Sequence, residues 1–188
     1  MNAKTVKNTA TVRERLLDSA DRLFYQEGYR AVGIDRVLAE AGAAKASLYS
    51  HFGSKDELVT ACIARRTSEA KEQMLAFIEA VPPEQRALRL FDFLIAWGNQ
   101  AEFRGCPIQH LVSEFPDTQH PARQVAQAHR AWILEKLEEW CQAAAVAEPA
   151  QTASALLVLF DGAILASEQD GVQRAHDAKW CAAQLLAK

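Results

Sequence analysis

Glycine and proline are scarce in this sequence, 8 and 6 residues of 188. A turn-rich all-β fold needs more of both. Long apolar runs are also missing. The longest, residues 153–160, is short even with Ser154 counted in, against the roughly 20 residues an apolar helix needs to cross a bilayer. Residues 1–15 are polar and lack the apolar core of a signal peptide. These absences lead to the expectation of a cytoplasmic protein with no membrane partner. Cys62, Cys106, Cys141 and Cys181 are widely spaced and form no Cys-x-x-Cys pair. No structural zinc site and no other metal or cofactor is therefore expected, and in a reducing compartment the cysteines are free thiols. There is no glycine-rich phosphate loop, no His-Glu-x-x-His and no nucleophile elbow, so the chain is not read as an enzyme.

Charge is distributed unevenly. Residues 1–66 carry 11 Lys and Arg against 8 Asp and Glu, while residues 67–188 carry 10 against 16. A basic front half on an acidic chain points to a polyanionic partner for that half alone.

The patterning is helical throughout, and no segment alternates with period two. Residues 1–9 read as a polar arm with Lys4 and Lys7. Val12, Leu16, Ala20, Leu23 and Phe24 then recur at helical spacing and give one apolar stripe, which Gly28 stops. A second helix over 34–41 is apolar at Ile34, Val37, Leu38 and Ala41, and Gly42 ends it. A third covers 44–52. Ser54 and Glu57 stand in capping-box relation and start a fourth, which runs to about residue 80 and stops at Pro82-Pro83. Further helices are predicted over 84–103, broken by Arg104-Gly105, then over 107–115, 122–145, 149–170 and 173–187. The fold class is all-α: a three-helix head over residues 10–56 and a helical second domain over 57–188, about nine helices in all.

The informative stretch is residues 34–52. Two short helices are joined by a tight turn in which Gly42 can take left-handed backbone. Leu38, Leu48 and Phe52 face the first helix, leaving Lys45, Ser47, Tyr49, Ser50 and His51 outward. Ala44 stands where a capping hydroxyl belongs, so the first N–H groups of its helix are left free. Lys45 sits in the first turn, where the helix dipole disfavours a cation. Free N–H groups beside a lysine suit a phosphate, and Tyr49 and His51 add hydrogen-bond donors. A solvated face with incidental aromatics is the plain alternative.

At this point the sequence resembles the TetR/AcrR family of transcriptional regulators. The resemblance is carried by Gly28-Tyr29, Ile34, Val37, Ala41-Gly42, Leu48-Tyr49, His51-Phe52 and Ser54-Lys55-Asp56-Glu57-Leu58, all at matching offsets over about 45 residues. It implies a helix-turn-helix head whose third helix enters the major groove. Lys45, Ala46 and Ser47 would lie near base edges, Lys45 toward guanine O6/N7. Tyr49, His51 and Lys55 would contact phosphates, joined by backbone N–H groups at Gly33 and Ala44. Val32-Gly33 and Ala43-Ala44 replace family hydroxyls, and Leu38 replaces a small residue, so contacts at those places depart from the pattern.

The resemblance further implies a homodimer formed through the last two helices, a pseudo-palindromic double-stranded operator and an unidentified small-molecule inducer. The expected function is a repressor released by a small hydrophobic or electrophilic ligand. Candidate pocket residues are Phe93, Trp97, Cys106, His110, Phe115, His129, Trp132, Phe160 and Asp161. Each aromatic has core packing as its alternative. Asp161 interrupts the most apolar helix and is read as a buried hydrogen-bonded acid or a ligand contact. Cys106 falls at a helix start two residues from Arg104, which would lower its thiol pKa and leaves a thiol redox sensor as a second reading. A helical adaptor without DNA binding is the third.

Overall fold

The computed structural model describes residues 10–187 and is helical, with no strand among them. The arm at residues 1–9, with Lys4 and Lys7, lies outside the described residues. The helices are α1 (Val12–Glu27), α2 (Ile34–Ala41), α3 (Lys45–Phe52), α4 (Lys55–Ile78), α5 (Arg86–Gly98), α6 (Pro107–Glu114), α7 (Pro121–Ala143), α8 (Pro149–Asp170) and α9 (Gln173–Leu186), with a 3₁₀ turn at Pro83–Gln85. The chain divides into two compact units between Cys62 and Ile63, inside α4.

In the first unit α1 begins with a capping box absent from the sequence reading. Thr11 Oγ1 accepts from the Glu14 N–H at 3.2 Å, and the Glu14 carboxylate accepts from the Thr11 N–H at 2.7 Å. The stripe read from the sequence is the buried one: Leu16, Ala20, Leu23 and Phe24 pack with Tyr29, Val32, Val37, Leu48 and Phe52. Gly42 has φ 57° and ψ 44°, the left-handed conformation expected of it, and the Leu38 carbonyl accepts from the N–H groups of Gly42 and Ala43. Arg15 Nε donates to the Ala41 carbonyl at 3.1 Å, fixing the C-terminus of α2 against α1. Leu58, Val59 and Cys62 are buried, which carries this unit past residue 56 into the first two turns of α4.

The second unit is built around Ile78, Leu90, Phe91, Leu94, Leu137, Trp140, Leu156, Phe160 and Ile164, with Ala175, Ala178 and Ala182 of α9 closing one side. Proline occupies the first turn of α6, α7 and α8, where its missing N–H leaves no intrahelical bond unmade. Of the boundaries that differ from the sequence expectation, two have visible causes. The helix expected over 84–103 is shorter, because the chain turns at Asn99, whose side chain takes the Ile95 carbonyl at 2.9 Å. A Cβ on Gly98 would stand 3.1 Å from Val172, so a residue distant in sequence packs closely on this end of α5. The helix expected to reach residue 145 stops at Ala143 without a glycine. Ala145 takes the left-handed position at φ 53°. Its N–H reaches the Gln142 carbonyl at 3.0 Å and the Val146 N–H reaches Cys141 at 3.3 Å, a Schellman closure.

By length and composition α8 is apolar enough to cross a membrane, which counting unbroken runs had missed. In this fold Ala153, Leu156, Leu157, Phe160, Ala163 and Ile164 are buried, and the helix packs on both α7 and α9.

Candidate nucleic-acid interface and effector site

The head presents α3 on a rigid footing. Leu48 and Phe52 are buried on one side, and Lys45, Ala46, Tyr49, Ser50 and His51 are exposed on the other. Tyr49 is 47% exposed although large and aromatic. Ser47 is half-buried. Neither Gly33 at the start of α2 nor Ala44 at the start of α3 supplies a side-chain cap, and both are exposed. Two short helices thus offer uncapped N-terminal N–H groups to an anion. Lys55 stands at the first position of α4, half-buried, with Nζ donating to the Arg30 carbonyl at 3.3 Å and lying 6.0 Å from the Phe24 ring centroid. Its ammonium is therefore held at the surface of the head by the protein itself. The Ser54–Glu57 cap is present, with the Glu57 N–H 3.1 Å from Ser54 Oγ.

A family model described as "Bacterial regulatory proteins, tetR family" matches residues 16–62, which contain all of α2 and α3. Over nearly the whole chain, the fold is similar to the crystal structure of a TetR-family transcriptional regulator from Streptomyces coelicolor. The TM-score is 0.89 and the identity 30%, over 94% of each chain. The chain belongs to the TetR family. A second TetR-type structure, from Streptomyces avermitilis, is similar at TM-score 0.79 and 26% identity, over 93% of this chain and 99% of that one. The HTH-type transcriptional regulator LmrA of Bacillus subtilis is 26% identical over 160 residues, 82% of this chain and 85% of that protein. This TetR-family chain is accordingly a helix-turn-helix, DNA-binding transcriptional regulator and not an enzyme.

In the second unit the candidate pocket residues fall into different surroundings. Phe160 is core, 6.1 Å edge-to-face from Phe91. Phe115 is buried against His120, with centroids 4.6 Å apart. Phe93 meets Phe77 at 5.8 Å, and Trp97 meets Phe103 at 5.1 Å, and both are only partly buried. His110 Nε2 is 3.2 Å from the Glu168 carboxylate. Gly105, at φ +74°, lies so close beneath that carboxylate that a Cβ would run into it.

Two expectations are corrected here. Asp161 is not a buried acid: its side chain keeps 31% of its exposure, pairs with Arg130 and lies 3.4 Å from the Gln109 amide. An acid in the middle of α8 can reach a cation on α7, which a linear reading of an apolar helix does not reveal. The Cys106 thiol is not lowered. Burial pushes its pKa up, outweighing the backbone N–H groups of Gln109 and Ile108 and the charge of Arg66. Arg104, on which the lowered value was expected to rest, is exposed and is not among the groups that shift the thiol.

His129 and Trp132 are brought together, stacked at 5.9 Å with planes 26° apart. Sequence reasoning missed the third member of this group. Lys71 of α4 holds its ammonium 5.0 Å from the Trp132 ring centroid. No local pattern joins residues 71 and 132, so only the fold reveals the contact. His129 is 6% exposed, its Nδ1 has no hydrogen-bond partner, and burial followed by Lys71 repulsion lowers its pKa to about 4.

Proposed function

We propose that this regulator is a homodimeric repressor that reads a pseudo-palindromic duplex through α3 and leaves it when a small apolar ligand enters the second unit. The observation that carries the DNA half is the exposed, uncapped start of α3, with Lys45, Ala46 and Ser47 in its first turn and Tyr49 and His51 beyond. Lys45 and Ser47 have the reach and the donors for base edges. Tyr49, His51, Lys55 and the N–H groups at Gly33 and Ala44 serve phosphates, which position the helix without specifying sequence.

Dimerisation is assigned to α8 and α9. Val158 and Leu165, two turns apart on α8, are 65% and 52% exposed, and Trp180 of α9 is 67% exposed. Large apolar groups repeating along one face call for a partner, and a second copy gives a closed, self-complementary contact. This also gives the apolarity of α8 a use other than a bilayer.

The effector acts by population shift. A ligand must bind the DNA-incompetent geometry more tightly, and a tenfold loss of operator affinity needs about 1.4 kcal/mol of coupling. The α4 helix contains the division between the two units, so a change in its tilt is the simplest carrier of that coupling. By linkage, operator DNA must weaken the ligand by the same factor. Ligand affinity measured with and without operator tests this, and equal affinities contradict it. The raised Cys106 thiol gives the redox reading no support, since a protonated thiol is a poor nucleophile.

A further inference from the structure

Lys71, His129 and Trp132 form a group with hydrogen-bond donors and no carboxylate. Lys71 is half-buried, with its ammonium 5.0 Å from the Trp132 ring centroid and its charge felt by His129. Among the described residues no carboxylate pairs with it. The His129 imidazole is more than nine-tenths buried, and its Nδ1 is sealed from solvent with nothing to bond. An orphaned buried nitrogen is costly, and a cation without a counter-ion at its side adds to that cost. Both flank one indole ring, His129 stacked on it and Lys71 within 5.0 Å of its centroid. Trp132 thus supplies a flat apolar surface between two hydrogen-bond donors.

We infer that this group is a receptor for the carboxylate of an amphipathic organic acid, with Lys71 Nζ and the His129 ring N–H each donating to the carboxylate and the acid's apolar body lying on Trp132. The neutral tautomer with its proton on Nδ1 provides the second donor. Charge-assisted bonds of this kind carry acid-over-amide selectivity, because an amide of the same shape offers one neutral acceptor and no charge. The inference rests on the reading of the second unit as the effector domain and names the chemical class of its ligand.

The test uses the full-length protein and matched probes: 2-naphthoate against 2-naphthamide, and decanoate against decanamide. Calorimetric titrations on wild type, Lys71→Met, Lys71→Arg and His129→Phe are combined with thermal melts to confirm folding. Lys71→Met keeps the aliphatic stem over the indole, and His129→Phe keeps the ring while removing the orphaned nitrogen. In wild type at least one acid binds about tenfold or more tightly than its amide. Lys71→Met brings the ratio close to one, Lys71→Arg retains most of it, and His129→Phe reduces it. The inference is overturned if no acid binds, if amides bind as well as acids, or if the selectivity survives in both Lys71→Met and His129→Phe. Repeating the titrations with operator present separates the two readings. A selective acid that leaves operator affinity unchanged keeps the receptor and removes the induction mechanism. Neutral compounds that release DNA while the acids fail to bind keep induction and remove the receptor.

Discussion

Burial and the nearby Lys71 hold the His129 pKa at about 4, against an ordinary 6.5. An unfolded chain therefore takes up a proton at this residue as pH falls through 6.5, while the folded chain resists until about 4. Protons then bind preferentially to the unfolded state, so stability is lost as pH drops across that window, by on the order of 3 kcal/mol. Urea titrations between pH 7.5 and 4 are expected to show a steeper acid loss in wild type than in His129→Phe. Parallel pH profiles would mean that His129 is solvated in solution. Ala145 is a second residue set against its own chemistry: an exposed alanine in left-handed backbone closing α7. Ala145→Gly removes a steric penalty of roughly 1–2 kcal/mol but loosens the unfolded chain, leaving a net gain of about 0.5–1 kcal/mol. A lower denaturant midpoint in that variant would contradict the assigned conformation. The sequence could not signal Ala145, because helix ends of this type are expected at glycine.

At the scale of elements, α2 was legible residue by residue because both of its ends are set locally, by Gly33 before it and by left-handed Gly42 after it. The start of α3 was legible to within one residue, and so was its missing cap at Ala44. The end of α5 was not, since it closes at Asn99 with a side-chain bond to the Ile95 carbonyl, at a place where Val172, distant in sequence, packs close to Gly98. The uncapped α3 carries a prediction that separates stability from recognition. Ala44→Ser should stabilise the head by about 1 kcal/mol by satisfying an α3 N–H. It should also weaken DNA binding if that N–H serves a phosphate. Equal DNA affinity in Ala44→Ser would remove the helix start from the interface. Tyr49→Ala is expected to weaken binding to all duplexes alike, whereas Lys45→Ala costs about 1–3 kcal/mol and relaxes preference at one base position. Lys55→Ala should lower the magnitude of the salt slope by about one, and an unchanged slope would remove Lys55 from the phosphate contacts.

For the whole molecule, fold class and DNA-binding head were readable in the sequence because helical periodicity and a dense fixed-offset motif are local signals. The effector site was readable only in part. His129 and Trp132 could be named as polarisable groups on one helix. Their partner Lys71 lies on α4 and is brought to them only by the fold. The Asp161–Arg130 pair escaped for the same reason. The exposed Val158, Leu165 and Trp180 predict that Val158→Glu with Trp180→Glu converts a dimer to a monomer in light scattering without unfolding it. A wild-type monomer at micromolar concentration would refute the dimer. The most direct test of the central claim is selection of binding sites from a random duplex library by the full-length protein. The account predicts enrichment of a pseudo-palindrome whose half-sites lie about one DNA turn apart, roughly 34–36 Å, or somewhat more, with enrichment lost in Lys45→Ala combined with Tyr49→Ala. Failure to enrich any sequence, or enrichment unaffected by that double substitution, would contradict recognition through α3.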